Sequence, residues 1–293
     1  CSSSSPHRSS AALRQRRRLC SPVRAGGPRC DSDVGAGPEG PEYLNHERQS
    51  HGFRILGYDC ISSTNDEADR LARNGAPDRT LVWALSQNYG RGRLGRSWVS
   101  PEGNLYTTAL LAPGLPLGRL QELSFVASLA VHDTVAGLLP NADLVLKWPN
   151  DVLLGGAKIS GILTETLARG ASFVALLGVG INLAHAPVAA RYPTTALADH
   201  LAEPLAVEGL LDLYLKALSA RYALWCSDGF PPIREAWTAR SRWIGRKVSV
   251  ESGEQTISGR YDGIEADGAL IVAAADGVVH RISAGDVRLA EDG

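Results

Sequence analysis

The chain of 293 residues contains no methionine, and it has no apolar run approaching the roughly 18 residues that a membrane-spanning helix needs. The second absence excludes a helical membrane protein. Cys1, Cys20, Cys30, Cys60 and Cys226 are odd in number and too scattered for a C-x-x-C zinc site or a disulfide framework, so a reduced, cytoplasmic-type compartment is expected. His132 and His200 stand alone, with no H-E-x-x-H or Ser-His-Asp arrangement around them, and no metal site is expected from protein side chains. The lack of Met even at position 1 implies that the sequence as written starts downstream of an initiation codon or at a misassigned start. Residues 1–30 lack acids altogether while carrying seven arginines. No apolar core follows that basic run, which argues against a secretory signal.

What is present divides into parts of opposite sign. The overall formal charge is −1, yet residues 31–293 hold 23 bases against 31 acids, a net of −8. A body this acidic is not expected to carry a wide phosphate-neutralising surface. Residues 1–50, rich in Ser, Arg, Gly and Pro, read as a disordered leader. It is either a transit-type segment directing the chain to an organelle or a non-native extension, with the extension favoured. An apolar fraction of 44% is ordinary for a folded protein, and the length allows one large domain or two unequal ones.

Patterning changes at Phe53. Phe53–Tyr58 reads as a strand, followed by a capping box with Thr64 as N-cap and Glu67 at N3 that opens a helix ending at Asn74-Gly75. Strands are expected at Thr80–Ser86 and Leu105–Leu111, then a helix over 119–139 stopped by Pro140. Leu144–Trp148, Asp151–Leu154 and Lys158–Leu167 follow as strands, the last two joined by a turn at Gly155-Gly156. Ser172–Asn182 is almost wholly apolar, as a central strand would be, and helices are expected at 207–226 and 231–240. Beyond Arg242 five short strands separated by Gly and Asp turns mark a small β-barrel. The expected class is α/β (α+β), a mixed, mainly antiparallel sheet with helices plus that barrel. The expected boundaries are a leader 1–50, a catalytic domain 51–241 and a C-terminal domain 242–293.

Four segments could carry chemistry. Gly90-Arg91-Gly92-Arg93-Leu94-Gly95-Arg96-Ser97-Trp98 contains G-x-G-x-x-G, but no helix follows and position 115 is Leu where a ribose-binding acid would be needed, so a Rossmann site is rejected. Its alternating glycines and three arginines suit close approach to a phosphate chain or carboxylate, unless the loop is a solvated segment or an RGG-type nucleic-acid binder. Lys147-Trp148-Pro149-Asn150-Asp151 ends a strand, where a half-buried lysine needs an anionic partner, either Asp151 or a ligand. Strict alternation on the next strand places Lys158, Ser160, Ile162 and Thr164 on one face and Glu165 on the other. Gly178-x-Gly180-x-Asn182 closes the apolar strand, and its glycines imply another backbone or a ligand lying against it, or close sheet–helix packing.

In this order the segments resemble the biotin–protein ligases. The resemblance rests on Ser63-Thr64-Asn65, Gln87 with the arginine loop, the K-W-P-N-D block, Lys158-Ile159-Ser160-Gly161-Ile162-Leu163-x-Glu165 and Gly178-x-Gly180-x-Asn182, and it covers roughly residues 53–290. It implies a class II synthetase-like catalytic domain with an SH3-like C-terminal barrel. It also implies a two-step reaction in which biotin and ATP give biotinyl-5′-AMP, and the acyl group passes to a lysine of a biotin carboxyl carrier domain of a biotin-dependent carboxylase. ATP and Mg²⁺ are then the expected cofactors. By the same resemblance Lys158, Arg93 and Asp151 are catalytic, with Lys158 the main electrostatic catalyst and Asp151 serving the acceptor amine. Ser63, Thr64, Asn65, Gln87, Gly90, Arg91, Gly92, Arg93, Lys158 and Gly161 bind biotin. Arg91, Arg93, Arg96, Trp98, Lys147, Asn150 and Asn182 serve ATP, Asn182 on the adenine or Mg²⁺ side.

Two departures bear on the expectation. Residues 1–50 are too short and aperiodic for a winged helix, so a monofunctional ligase that binds neither nucleic acid nor membrane is expected. The family's late nucleotide-contacting Arg has no match at Leu289-Ala290, which leaves Arg288 as a possible substitute. The competing readings are a lipoate–protein ligase of the same fold and a single-stranded nucleic-acid binder stacking bases on Trp98.

Overall fold

A computed structural model describes residues 47–187 and 192–290. The basic leader up to residue 46 therefore lies outside the described residues, but its expected last residues do not. Arg48–Ser50 form the first strand, with Arg48 and Ser50 bonded to Asp212 at 2.9 and 3.1 Å, so the folded body begins before residue 51.

From that point run β1 (Arg48–Ser50), β2 (Phe53–Ile61), α1 (Thr64–Arg73), β3 (Thr80–Gln87) and β4 (Leu105–Leu111). The helical α2 (Leu117–Leu120) and α3 (Leu123–Leu138) precede β5 (Leu144–Lys147), β6 (Asp151–Leu154), β7 (Ala157–Arg169) and β8 (Ser172–Ile181). Then come α4 (Val207–Asp228), α5 (Phe230–Thr238) and five strands: β9 (Lys247–Ser252), β10 (Gln255–Ile264), β11 (Leu270–Ala273), β12 (Val279–Ile282) and β13 (Asp286–Leu289).

The first eight strands make one mixed sheet in the order β1-β2-β3-β4-β8-β7-β6-β5. The β2–β3 pair is parallel because α1 carries the chain back across the sheet, whereas the other pairs are antiparallel, enforced at β6–β7 and β7–β8 by tight turns. β8, the apolar strand, lies between β4 and β7 as its composition requires.

The sheet buries both faces differently. On one, α1 packs Ala68 and Ala72 against Val82, Leu110, Val174 and Leu176. On the other, α3 is buried around almost its whole circumference between the sheet and α4. The helix expected over 119–139 is interrupted after Leu120. Glu122, buried at the break, accepts from Arg119 Nε at 2.5 Å and Trp225 Nε1 at 2.6 Å, which ties the short α2 to α4.

The C-terminal strands form an antiparallel sheet in the order β12-β11-β10-β9-β13. Its core residues Val248, Tyr261, Leu270 and Val287 belong to the same apolar cluster as α3. Gly268, at φ +86°, allows this junction. A Cβ there would stand 2.6 Å from the Phe125 ring, and its carbonyl accepts from Trp148 Nε1 at 3.0 Å. Trp148 is fully buried, so its truncation to Ala would cost about 3–5 kcal/mol.

Candidate active site

The site is built on the α1 face of the large sheet, beyond the end of the helix. Alternation puts Tyr106 and Thr108 of β4, Gly178 and Gly180 of β8, and Gly161, Leu163 and Glu165 of β7 on that face, since Gly178 pairs with Leu163 and Gly180 with Gly161. The glycines make a floor. A Cβ at Gly180 would lie 2.6 Å from the Trp98 ring, at Gly161 2.9 Å from it, and at Gly178 2.5 Å from Asn65 Oδ1. Above this floor is a cavity of about 310 Å³.

Lys158 reaches this face against the alternation expected for its strand. The register between β6 and β7 slips where Val152 pairs with Ser160 but Leu153 with Lys158. That bulge turns Lys158 away from Ser160 and Ile162, which are buried in the opposite face, and toward Gly161. Its ammonium lies 2.6 Å from Asp151 Oδ1 and 5.3 Å from the centre of the Trp98 ring. Lys147, side by side with Asp151 across the β5–β6 hairpin, lies 3.7 Å from the same carboxylate. The lysine expected to need an anionic partner thus has one.

At the other end, helix α1 begins one residue earlier than its sequence signature indicates. Ser63, not Thr64, is the N-cap and accepts from the Asn65 amide at 3.2 Å, while Glu67 turns to Tyr58 and Arg70. Thr64 is thereby released. Its amide and hydroxyl point at Gln87 Oε1 (2.8 and 3.1 Å), and both residues line the cavity with Asn65. Ser63 is buried in its cap and does not line it.

The arginine loop forms one wall of the cavity. Arg91 pairs with Asp66 and Glu165, both at 2.9 Å, and Arg93 donates to Asn150 Oδ1 at 3.1 Å and to the Gly285 carbonyl at 3.4 Å. Burial lowers the Arg93 guanidinium from its ordinary value against the opposing pull of Asp151 and Asp286. Arg96 meets Asp286 at 3.3 Å. All three side chains, with Gly92 and Trp98, line the cavity, while Arg91 and Arg96 also keep part of their surface in solvent. Gly90 lies just behind, where a Cβ would stand 2.4 Å from the Trp98 carbonyl.

Of the expected residues, the fold brings Thr64, Asn65, Gln87, the three arginines, Trp98, Asn150, Asp151, Lys158, Gly161 and Asn182 to one cavity. Ser63, Gly90 and Lys147 stand outside its lining. Arg288 is held by Glu251 at 3.0 Å and does not line the cavity either.

Sequence reasoning missed Asp286 and Tyr192. Asp286 opens β13 and lies 3.5 Å from Lys147, against Arg96 and hydrogen-bonded by the Tyr192 hydroxyl. Burial alone would raise its carboxyl, but the Tyr192 hydrogen bond, Lys147 and Arg96 together hold it below the ordinary range. No local motif marks either residue, because each reaches the site through long-range packing.

A cavity lined by three arginines and a lysine paired with a carboxylate, mounted on this mixed sheet, suits a ligase that joins a carboxylate to a phosphate. Residues 57–182 match the family described as the Biotin/lipoate A/B protein ligase family, and residues 243–289 match the Biotin protein ligase C terminal domain. The chain is 40% identical over 218 residues to the biotin–[acetyl-CoA-carboxylase] ligase of Paracoccus denitrificans, covering 72% of this chain and 90% of that one. It is 36% identical to the enzyme of the same name from Mycobacterium tuberculosis, over 80% of this chain and 89% of that one. The solved biotin protein ligase of Aquifex aeolicus in complex with biotin and ATP superposes with a TM-score of 0.70 at 27% identity, over 80% and 99% of the two chains. The chain belongs to the biotin protein ligase family.

Proposed function

We propose that this chain activates biotin with ATP as biotinyl-5′-AMP and transfers the biotinyl group to a lysine of a biotin carboxyl carrier domain. The observation that carries this reading is the convergence of Arg91, Arg93 and Arg96 with Lys158 and Asp151 on one glycine-floored cavity. Bringing a carboxylate to an α-phosphate opposes two anions, and fixed cations in a water-poor site lower that cost.

In the first step a biotin carboxylate oxygen attacks the α-phosphorus, and the bond to pyrophosphate breaks. Lys158, aimed over the floor at Gly161, would hold the carboxylate and then polarise the acyl carbonyl. Arg91, Arg93 and Arg96 would hold the phosphates along the loop wall and shield the mixed anhydride from water. Trp98 and Asn150 would serve the nucleotide, while Lys147, buried behind the lining, would act through Asp151 and Asp286. Thr64, Asn65 and Gln87 would face the ureido ring. In the second step the neutral acceptor amine attacks the acyl carbon, an amide forms and AMP departs with the bonding electrons. Asp151, next to Lys158, would orient that amine or accept its proton.

Among the described residues no group of three His, Cys, Asp or Glu side chains could hold a metal ion. Mg²⁺ would arrive on the ATP phosphates, and Asn182, at the cavity wall, is the side chain that would meet it there. Bound there, Mg²⁺ would supply charge screening at the phosphates.

The test is incubation with ATP, Mg²⁺, biotin and a carrier domain, following pyrophosphate exchange and biotinylated product. Biotin-dependent exchange and labelled carrier are expected. Exchange that depends on lipoate and ignores biotin would overturn the reading.

A further inference from the structure

Asn65 lines the cavity, yet both ends of its carboxamide are already held from behind. Its Nδ2 donates to Glu165 Oε2 at 2.8 Å, and its Oδ1 accepts from the Thr108 hydroxyl at 2.7 Å. The carboxylate, also paired with the Arg91 guanidinium, can only accept, so the nitrogen of the amide must face β7 and the oxygen β4. Thr108 is fully buried on β4 and stands 2.9 Å from Thr64 Oγ1 as well. A hydroxyl has one proton, and here it lies on the shorter contact to Asn65. Thr64 therefore meets Thr108 as a donor or turns its proton to Gln87. Gly178 leaves the room for this arrangement, since a Cβ there would stand 2.5 Å from Asn65 Oδ1.

Neither Thr108 nor Glu165 lines the cavity. We propose that these two residues are positioning residues for the acid substrate. Thr108 and Glu165 together fix the donor and acceptor ends of the Asn65 carboxamide, Thr108 leaves Thr64 to act toward it only as a donor, and Glu165 ties that recognition face to the Arg91 loop. The inference rests on the biotin reading above and deepens it. It makes a prediction that a packing role does not. A residue that merely supports the fold lowers the amount of active enzyme, whereas one that aims substrate-binding groups raises KM for the acid and leaves ATP and the chemical step alone.

The experiment is steady-state pyrophosphate exchange with the full chain, varying biotin and ATP separately. Thr108→Val removes the hydroxyl and keeps the shape. Its KM for biotin should rise about tenfold, the value of one hydrogen bond at a polar site, with kcat and KM for ATP within about threefold of wild type. Thr108→Ser should return the biotin KM to within about threefold of wild type. Glu165→Ala should raise the biotin KM similarly and, because Glu165 also holds Arg91, the KM for ATP as well. The double variant should show less than the product of the two single effects, because both act through Asn65.

A biotin KM unchanged in Thr108→Val, a loss confined to kcat, or a Ser variant no better than Val would overturn the proposal. Wild-type exchange that responds to lipoate alone would instead overturn the biotin reading. The proposal would then stand or fall on the same KM ratio measured for lipoate.

Discussion

Lys158 illustrates how one side chain's role depends on local backbone geometry. It lies on the ligand face because the β6–β7 pairing slips by one residue. Lys158→Ala is expected to lower pyrophosphate exchange by about 100-fold or more, the scale of losing one fixed electrostatic contact to a transition state. The fold should survive, because Asp151 keeps Lys147 at 3.7 Å and the lost side chain is partly exposed. Exchange assays paired with thermal melts check both halves. Normal exchange would remove Lys158 from its assigned role.

At the scale of elements, the start of α1 sorts two adjacent hydroxyl residues into different tasks. Ser63 caps the helix and Thr64 faces the cavity. Ser63→Ala should cost about 1 kcal/mol in urea unfolding with little change in biotin KM. Thr64→Val should do the reverse, leaving the unfolding midpoint near wild type and weakening biotin use. Equal effects of the two variants on KM would contradict this division of roles.

The β13 strand makes a second prediction. Asp286 is ionised more readily in the folded chain than in the unfolded one, so protonation favours unfolding. Its contribution to stability is present above the unfolded carboxylate value of about pH 4 and is lost as pH falls through its lower folded value. Asp286→Asn should therefore flatten the acid limb of the stability curve measured by urea melts from pH 3 to 7. Asp133, also held below its ordinary value through His132, Arg221 and Arg240 against its burial, should leave part of that limb in place.

For the molecule as a whole, the apolar cluster around α3 runs without a break into the C-terminal sheet through Val248, Tyr261 and Leu270. Trp148 spans the junction from the K-W-P-N-D segment, and Asp286 crosses it in the opposite direction to Lys147. Shared burial of this kind couples the two sheets, so residues 47–290 should unfold in one cooperative calorimetric transition. Two resolved transitions would show that the contacts at Trp148 and Asp286 contribute little. No helix among the described residues is long and apolar enough to cross a membrane.

Much of this was legible in the sequence, and for a physical reason. Strand and helix periodicity, turn glycines and the ordering of short polar motifs are local properties. Leu105–Leu111 and Asp151–Leu154 accordingly occur where patterning placed them, and the arginine loop, Lys158 and Asn182 meet at one site. The family itself was readable for the same reason, since its motifs are contiguous stretches of chain. Three features were decided only by tertiary structure. The bulge at Lys158 depends on what β6 offers as a partner, and the one-residue shift of the α1 cap depends on Gln87 and Thr108 competing for Thr64. The presence of Asp286 and Tyr192 beside Lys147 depends on packing the last strand against a segment far earlier in the chain. Charge and hydrogen-bond partners brought together over such separations leave no periodic trace, so only the folded chain reveals them.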